Sequence, residues 1–297
     1  MPGELAALTA AFLWAVASVM FGRLGQRLPP LGLNLAKGAI AIGLLLVTLV
    51  LLGRPPTGLT AGAVGLLLIS GGVGIGLGDT LYFAAINQLG PRRAILLETL
   101  APPMAALIAL AFLGETLTGT AWVGIGLTLV GVSWVVAERI PPVKGMAPGP
   151  GGYRGVIYGV LAALGQAVGA VLSRLVLAET AIDPLWSSLV RLLAGLSIIL
   201  GLLRWRGQGM TPLTPLRSPR LLATVALTAF VGTYLAIYLQ QMALKYAATG
   251  IAQALTSTSP LFILPLAAAS GESVSPRAVA GAMVALGGIS LLVQASP

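Results

Sequence analysis

Thr99-Leu-Ala-Pro-Pro103 followed by Gly114-Glu115, and Thr256-Ser-Thr-Ser-Pro260 followed by Gly271-Glu272, decide how this chain is organised. A single offset of 157 residues takes Thr99 to Thr256, Pro103 to Pro260 and Gly114-Glu115 to Gly271-Glu272. The same offset takes Gly124 to Gly281 and Gly131 to Gly288, and takes Leu89, after which the first segment begins, to Tyr246, after which the second begins. Nearer the start, Leu13 and Arg23 pair with Leu164 and Arg174 at an offset of 151, and Lys37 pairs with Arg191. Matched order, spacing and punctuation across the chain is the mark of an internal duplication.

The duplicated unit belongs in a bilayer. Hydrophobic residues make up 57% of the chain and charged residues 8%, with a mean hydropathy of +0.97. Soluble domains carry about 25% charged residues. The 39 glycines suit helices packed closely in a membrane. No Cys and no His are present, which removes disulfides, thiol chemistry, His relays and His/Cys metal sites. The net charge of +9 is read as loop charge that sets topology. No basic stretch is interleaved with stacking aromatics, so nucleic acid is not an expected partner.

Apolar runs of about 20 residues, bounded by charge, Pro or Gly, predict ten spans. They cover 4–22, 32–52, 62–86, 92–113, 118–137, 154–177, 185–203, 220–243, 247–269 and 275–294. The segment 4–22 lacks a preceding basic region and is read as a span, not a secretion signal. The expected organisation is an all-α membrane protein: a first five-helix repeat over 1–140, a linker over 141–153 and a second repeat over 154–297. An odd number of spans per repeat makes the two halves run in opposite directions. Inverted repeats are the architecture of alternating-access transporters, with the solute site between the halves.

Two long passages carry a resemblance. They are Ala94-Ile-Leu-Leu-Glu-Thr-Leu-Ala-Pro-Pro-Met-Ala-Ala-Leu107 with Leu113-Gly-Glu-Thr-Leu117 and Gly124 to Val132, and Ala252-Gln-Ala-Leu-Thr-Ser-Thr-Ser-Pro-Leu261 with Gly271-Glu272 and Gly281 to Gly288. In these, the chain resembles the EamA-type members of the drug/metabolite transporter superfamily. The resemblance implies ten helices around a central cavity, traffic in amino acids, metabolites or drugs across the cell (inner) membrane, and termini in the cytoplasm. The loop charges point the other way. Loops 1/2, 3/4, 5/6, 7/8 and 9/10 hold 12 Lys/Arg and the alternate loops 3, which favours termini outside.

Four ionisable residues fall within predicted spans: Lys37, Asp79, Glu98 and Arg191. Charges in hydrocarbon are costly and are retained where they face a cavity or a partner. Asp79 and Glu98 are candidates for proton coupling or amine binding, against a structural ion pair as the alternative. Tyr234, Tyr238 and Gln241 share one helical face. Gln253, Thr256 and Ser257 lie one-sidedly in the next span, Trp14 sits mid-span with Gln166 one residue past its repeat counterpart, and Tyr82 lies toward the end of the third span. These nine are the candidate solute-cavity residues, with interhelical hydrogen bonding as the alternative for the same residue types. Pro102, Pro103 and Pro260 are expected to bend their helices and free backbone carbonyls. Trp122, Trp134, Trp186 and Trp205 lie near span ends as interfacial anchors.

The expected function is secondary transport of a small polar or amphipathic metabolite, amino acids foremost, with lipid and a small-molecule solute as partners and protons as a coupling ion. Multidrug efflux or metabolite uptake is the alternative within that class. Two readings outside it are a non-transporting scaffold and an intramembrane aspartyl protease, suggested by Gly76-Leu-Gly78-Asp79. The protease needs two apposed carboxylates, and the other aspartate is Asp183 beside Pro184. No catalytic residue, cofactor or metal is expected. Gly71-Gly-Val-Gly-Ile-Gly-Leu-Gly78 mimics a dinucleotide loop but has no preceding strand.

Overall fold

The computed structural model describes residues 2–24, 27–89, 94, 97–137, 153–207, 209, 211–262 and 275–295. Within them every regular element is a helix. The α-helices are α1 (Pro2–Leu24), α2 (Pro30–Leu51), α3 (Ala61–Gly71), α4 (Asp79–Leu89), α5 (Ala101–Leu113), α6 (Gly119–Ala137), α7 (Tyr153–Glu179), α8 (Pro184–Trp205), α9 (Pro219–Ala229), α10 (Ala236–Tyr246), α11 (Thr249–Thr256) and α12 (Pro276–Ala295). A π-helical segment, Gly72–Gly78, joins α3 to α4, and another, Phe230–Leu235, joins α9 to α10. Six helical stretches are long and apolar enough to cross a membrane, and Pro2–Ala17, Ala101–Leu113 and Gly119–Trp134 are shorter apolar helices.

Helix starts follow local chemistry. Proline occupies the first turn of α2, α5, α8 and α9, where its missing N–H costs nothing. Asp183 caps α8 by accepting from the Leu185 N–H at 2.9 Å, and Thr60 caps α3 through the Ala63 N–H. Helix α5 stops where Gly114 enters the left-handed region at φ 66°, a conformation that a side chain would strain.

The duplication is visible in packing. Helices α6 and α12 meet along their glycines: Gly124 lies against the Gly288 carbonyl and Gly131 against that of Gly281. The 157-residue offset relates Gly124 to Gly281 and Gly131 to Gly288, so each glycine meets the copy of the other. That pattern requires the two helices to be antiparallel and related by a local two-fold. The same symmetry recurs elsewhere: α1 packs on α10 as α7 packs on α4.

The breaks are duplicated too. The two π-helical segments fall at corresponding places in the third span of each half. A π turn adds one residue to the helix and leaves a carbonyl without its usual partner. Leu97–Glu98 and Ala101–Leu113 are separated by a turn at Thr99-Leu100, and α11 gives way to a turn at Ser257-Thr258. Pro102 and Pro103 therefore stand in the first turn of α5, after the break, and Pro260 stands just beyond the second break. The eight residues of α11 are all buried, wrapped by α1, α5 and α6.

Candidate functional site

The π turn after α3 ends on Asp79, whose carboxylate faces α2. Lys37 Nζ stands 3.8 Å from Asp79 Oδ2, and Gln166 Nε2 of α7 donates to Asp79 Oδ1 at 3.2 Å. Lys37 also lies 5.3 Å from the centroid of the Phe21 ring. Beside this pair is a cavity of about 20 Å³, room for a single water-sized group. Its polar wall is Asn34, Lys37, Asp79 and Thr233; Gly38, Ile75, Leu192, Leu196, Ile199 and Ile237 complete it. Asn34 Nδ2 and Thr233 Oγ1 are buried with no hydrogen-bond partner among the described residues. The walls come from the second and third spans of the first half and the second and third spans of the second half, so the cavity lies between the duplicated units.

Arg191, the counterpart of Lys37, is 2% exposed. Its backbone presses on Gly71, and its Nη2 runs past Gly74 and Gly169. A Cβ at Gly71 would collide with the Arg191 backbone and one at Gly76 with Ile198, so these two glycines let the glycine-rich stretch pack directly on α8. The stretch is helical, so it does not form a dinucleotide-binding turn. Arg191 Nε and Nη1 have no partner among the described residues. Asp79 is the charged group in electrostatic reach of Arg191, while Glu98 is in reach of Asp79 and Tyr82. Glu98 Oε2 is buried with no partner among the described residues.

Trp14 and Gln166 stand at nearly matched positions and perform matched tasks. Trp14 Nε1 donates to the Gly232 carbonyl at 3.0 Å, and Gln166 Nε2 reaches the Gly74 carbonyl at 3.5 Å. Each side chain, from the first span of one half, contacts the π-helical segment of the other half.

Several other sequence candidates have partners of their own. The Tyr234 hydroxyl shares a 2.7 Å hydrogen bond with Thr48 Oγ1 and stacks on Phe230. Ser187 Oγ donates to Gln241 Oε1 at 2.8 Å. Tyr238 packs with residues of α2 and α8. Thr256 and Ser257 both donate to the Gln253 carbonyl, and Thr258 donates to that of Leu255. These hydroxyls answer the carbonyls exposed where α11 ends, ahead of Pro260. Asp183 is engaged elsewhere, 3.6 Å from Arg54, so the aspartate a protease would require does not stand beside Asp79.

Sequence reasoning passed over Asn34 and Thr233. Asn34 lies three residues before Lys37, hence on the same helical face, a signal that was available. Thr233 lies in a π turn, where a 3.6-residue period no longer tells which way a side chain points.

A second charged cluster ties the halves together at the face where α1 begins. Arg174 Nε donates to Glu115 Oε1 at 2.6 Å. Arg174 Nη1 donates to the carbonyls of Leu244 and Lys245, and Glu115 Oε2 accepts from the Thr249 N–H at 2.8 Å. Lys245 Nζ in turn donates to the Ile182 carbonyl. One acid from the first half thus gathers the ends of α7 and α10 and the start of α11. Of the repeat counterparts, Arg23 and Glu272, the second lies outside the described residues.

No curated protein matches the chain significantly. A solved crystal structure superposes on 99% of this chain and 97% of its own length with a TM-score of 0.78, at 19% identity; at that identity the likeness concerns the fold alone. Residues 1–137 and 153–294 each match the EamA-like transporter family, the two stretches being its two repeats. Members of that family are membrane transporters of small molecules, not enzymes. The chain belongs to the EamA-like transporter family.

Proposed function

We propose that this protein is a secondary transporter that carries a small polar or amphipathic metabolite, amino acids foremost, across the cell membrane. Two five-span halves, 1–140 and 154–297 joined by 141–153, would rock about a shared site to expose it to each side in turn. One observation carries the reading: a small, largely apolar cavity between corresponding spans of the two halves has the Lys37–Asp79 pair in its wall. Ion pairs inside a membrane mark solute or ion pathways. Trp14 and Gln166, which reach across to the π-helical segments, are assigned to the surrounding wall, and Asp79 and Glu98 to proton coupling. The ten-span count and the inner-membrane location belong to the same reading.

The test is counterflow in proteoliposomes. Vesicles containing the protein and loaded with an unlabelled amino acid mixture should accumulate external labelled amino acid, and protein-free vesicles should not. Counterflow of drugs but no amino acid would replace the first assignment with multidrug efflux. Flux unchanged by Asp79→Asn and by Glu98→Gln across an imposed pH gradient would remove proton coupling.

A further inference from the structure

The polar atoms around the cavity are unevenly matched. Lys37 Nζ, Asn34 Nδ2 and Thr233 Oγ1 all bring hydrogen-bond donors to its wall. The one acidic group there, Asp79, already has Lys37 and Gln166. Asn34 and Thr233 are each 2% exposed, and neither Asn34 Nδ2 nor Thr233 Oγ1 has a partner among the described residues. A buried donor left in this way is destabilising unless something accepts from it.

The charges are uneven in the same sense. Lys37 and Arg191 occupy corresponding positions in the two halves, and Asp79 is the carboxylate that both face. Arg191 forms no ion pair within bridging distance among the described residues, and two of its nitrogens lack a partner. No described ion pair joins Glu98 to either cation. Two fixed cations therefore share the one carboxylate at the cavity, while Glu98 acts on Asp79 and not on Arg191; charge acts strongly in a region of low dielectric.

We propose that the pocket between Asn34, Lys37 and Thr233 receives an anionic oxygen group of the transported solute, a carboxylate, with Arg191 supplying a second fixed positive charge behind Asp79. The inference rests on the transport reading above and narrows its solute class to carboxylate-bearing molecules. A carboxylate accepts from several donors at once, and charge-assisted bonds are the stronger kind. A solute that presents only an ammonium to this pocket would meet like charge. The present space admits a single oxygen-sized group, so the rest of the solute enters as the halves part.

The experiment uses the full chain in proteoliposomes and a panel of matched solutes. The acids are L-leucine, L-phenylalanine, L-glutamate and succinate; each is paired with its carboxamide, and amines of similar size without a carboxylate are included. At least one acid should be carried with kcat/KM about tenfold or more above its amide. Asn34→Leu and Thr233→Val should each narrow that ratio several-fold. Thr233→Ser, which keeps the hydroxyl, should restore it, separating a binding role from a folding defect. Amides or amines carried as well as the acids would overturn the inference and leave the transporter reading standing. An unchanged acid-to-amide ratio in both Asn34→Leu and Thr233→Val would also overturn it. Absence of flux for every acid, amide and amine would overturn the amino-acid and metabolite assignment, and this inference with it.

Discussion

The glycine seam between α6 and α12 supports a sharp comparison, because Gly287 and Gly288 are neighbours with opposite surroundings. A Cβ at Gly288 would lie 2.5 Å from both the backbone nitrogen and the Oγ1 of Thr128, and 2.7 Å from the Gly124 carbonyl oxygen. Ordinary contact begins near 3.4 Å, so Gly288→Ala requires the helices to part locally by roughly 0.9 Å, in line with overpacked cores that lose about 1–3 kcal/mol. Two of the three obstacles are backbone atoms, which cannot rotate away. A Cβ at Gly287 meets nothing within 4 Å, and alanine there gains about 0.5–1 kcal/mol of helix preference over glycine. The two substitutions share their chemistry and their helix, so intrinsic propensity cancels between them. Thermal unfolding of the detergent-purified protein, followed by tryptophan fluorescence, should place Gly288→Ala several degrees below the parent at about 2 °C per kcal/mol for a chain of this size. Gly287→Ala should match or exceed the parent. Equal transition temperatures for the two variants would refute the close approach of α6 to α12.

Further outcomes follow from other contacts. Arg174→Met leaves Glu115 partly buried with only the Thr249 N–H to face, and should cost about 3 kcal/mol; the double variant with Glu115→Gln should lose less than the sum of the two, as a double-mutant cycle on the purified protein would record. Trp14→Phe removes the bond to the Gly232 carbonyl and should lower stability by about 1 kcal/mol, with a loss below a few tenths ruling out that bond. Lys37→Met removes the ion-pair partner of Asp79 and a donor from the cavity wall, and should abolish transport; transport retained in Lys37→Met would contradict a role for the pair. The loop-charge bias expects a Cys introduced at Ser296 to react with an impermeant maleimide from outside the cell, and labelling only after the membrane is opened would reverse that orientation.

Much of the fold could be read without coordinates, and the readable parts share a cause. Span length and apolarity are imposed residue by residue by the bilayer, so they leave a local record. The repeat was equally legible, because Pro, Gly and Glu at fixed spacing survive as punctuation even where apolar residues have been exchanged for one another. Lys37, Asp79 and Arg191 stood out for the same reason: a charge in an apolar run is conspicuous. Tyr234 and Gln241 stood out as well, yet each bonds to a hydroxyl on a neighbouring helix, and polarity alone does not distinguish a wall of a cavity from an interhelical tie.

By itself, then, the sequence determined that this is a duplicated helical membrane protein, and it named the charges buried within it. The tertiary structure decided who meets whom. The antiparallel pairing of Gly124 with Gly288, the two π turns, the cavity walls at Asn34 and Thr233, and the Glu115–Arg174 tie each join residues far apart in the chain. A π turn shifts the direction of every following side chain by the angle of one residue, which no fixed period anticipates. Long-range partners are set by which helices touch and in which direction they run, and one-dimensional spacing does not record that.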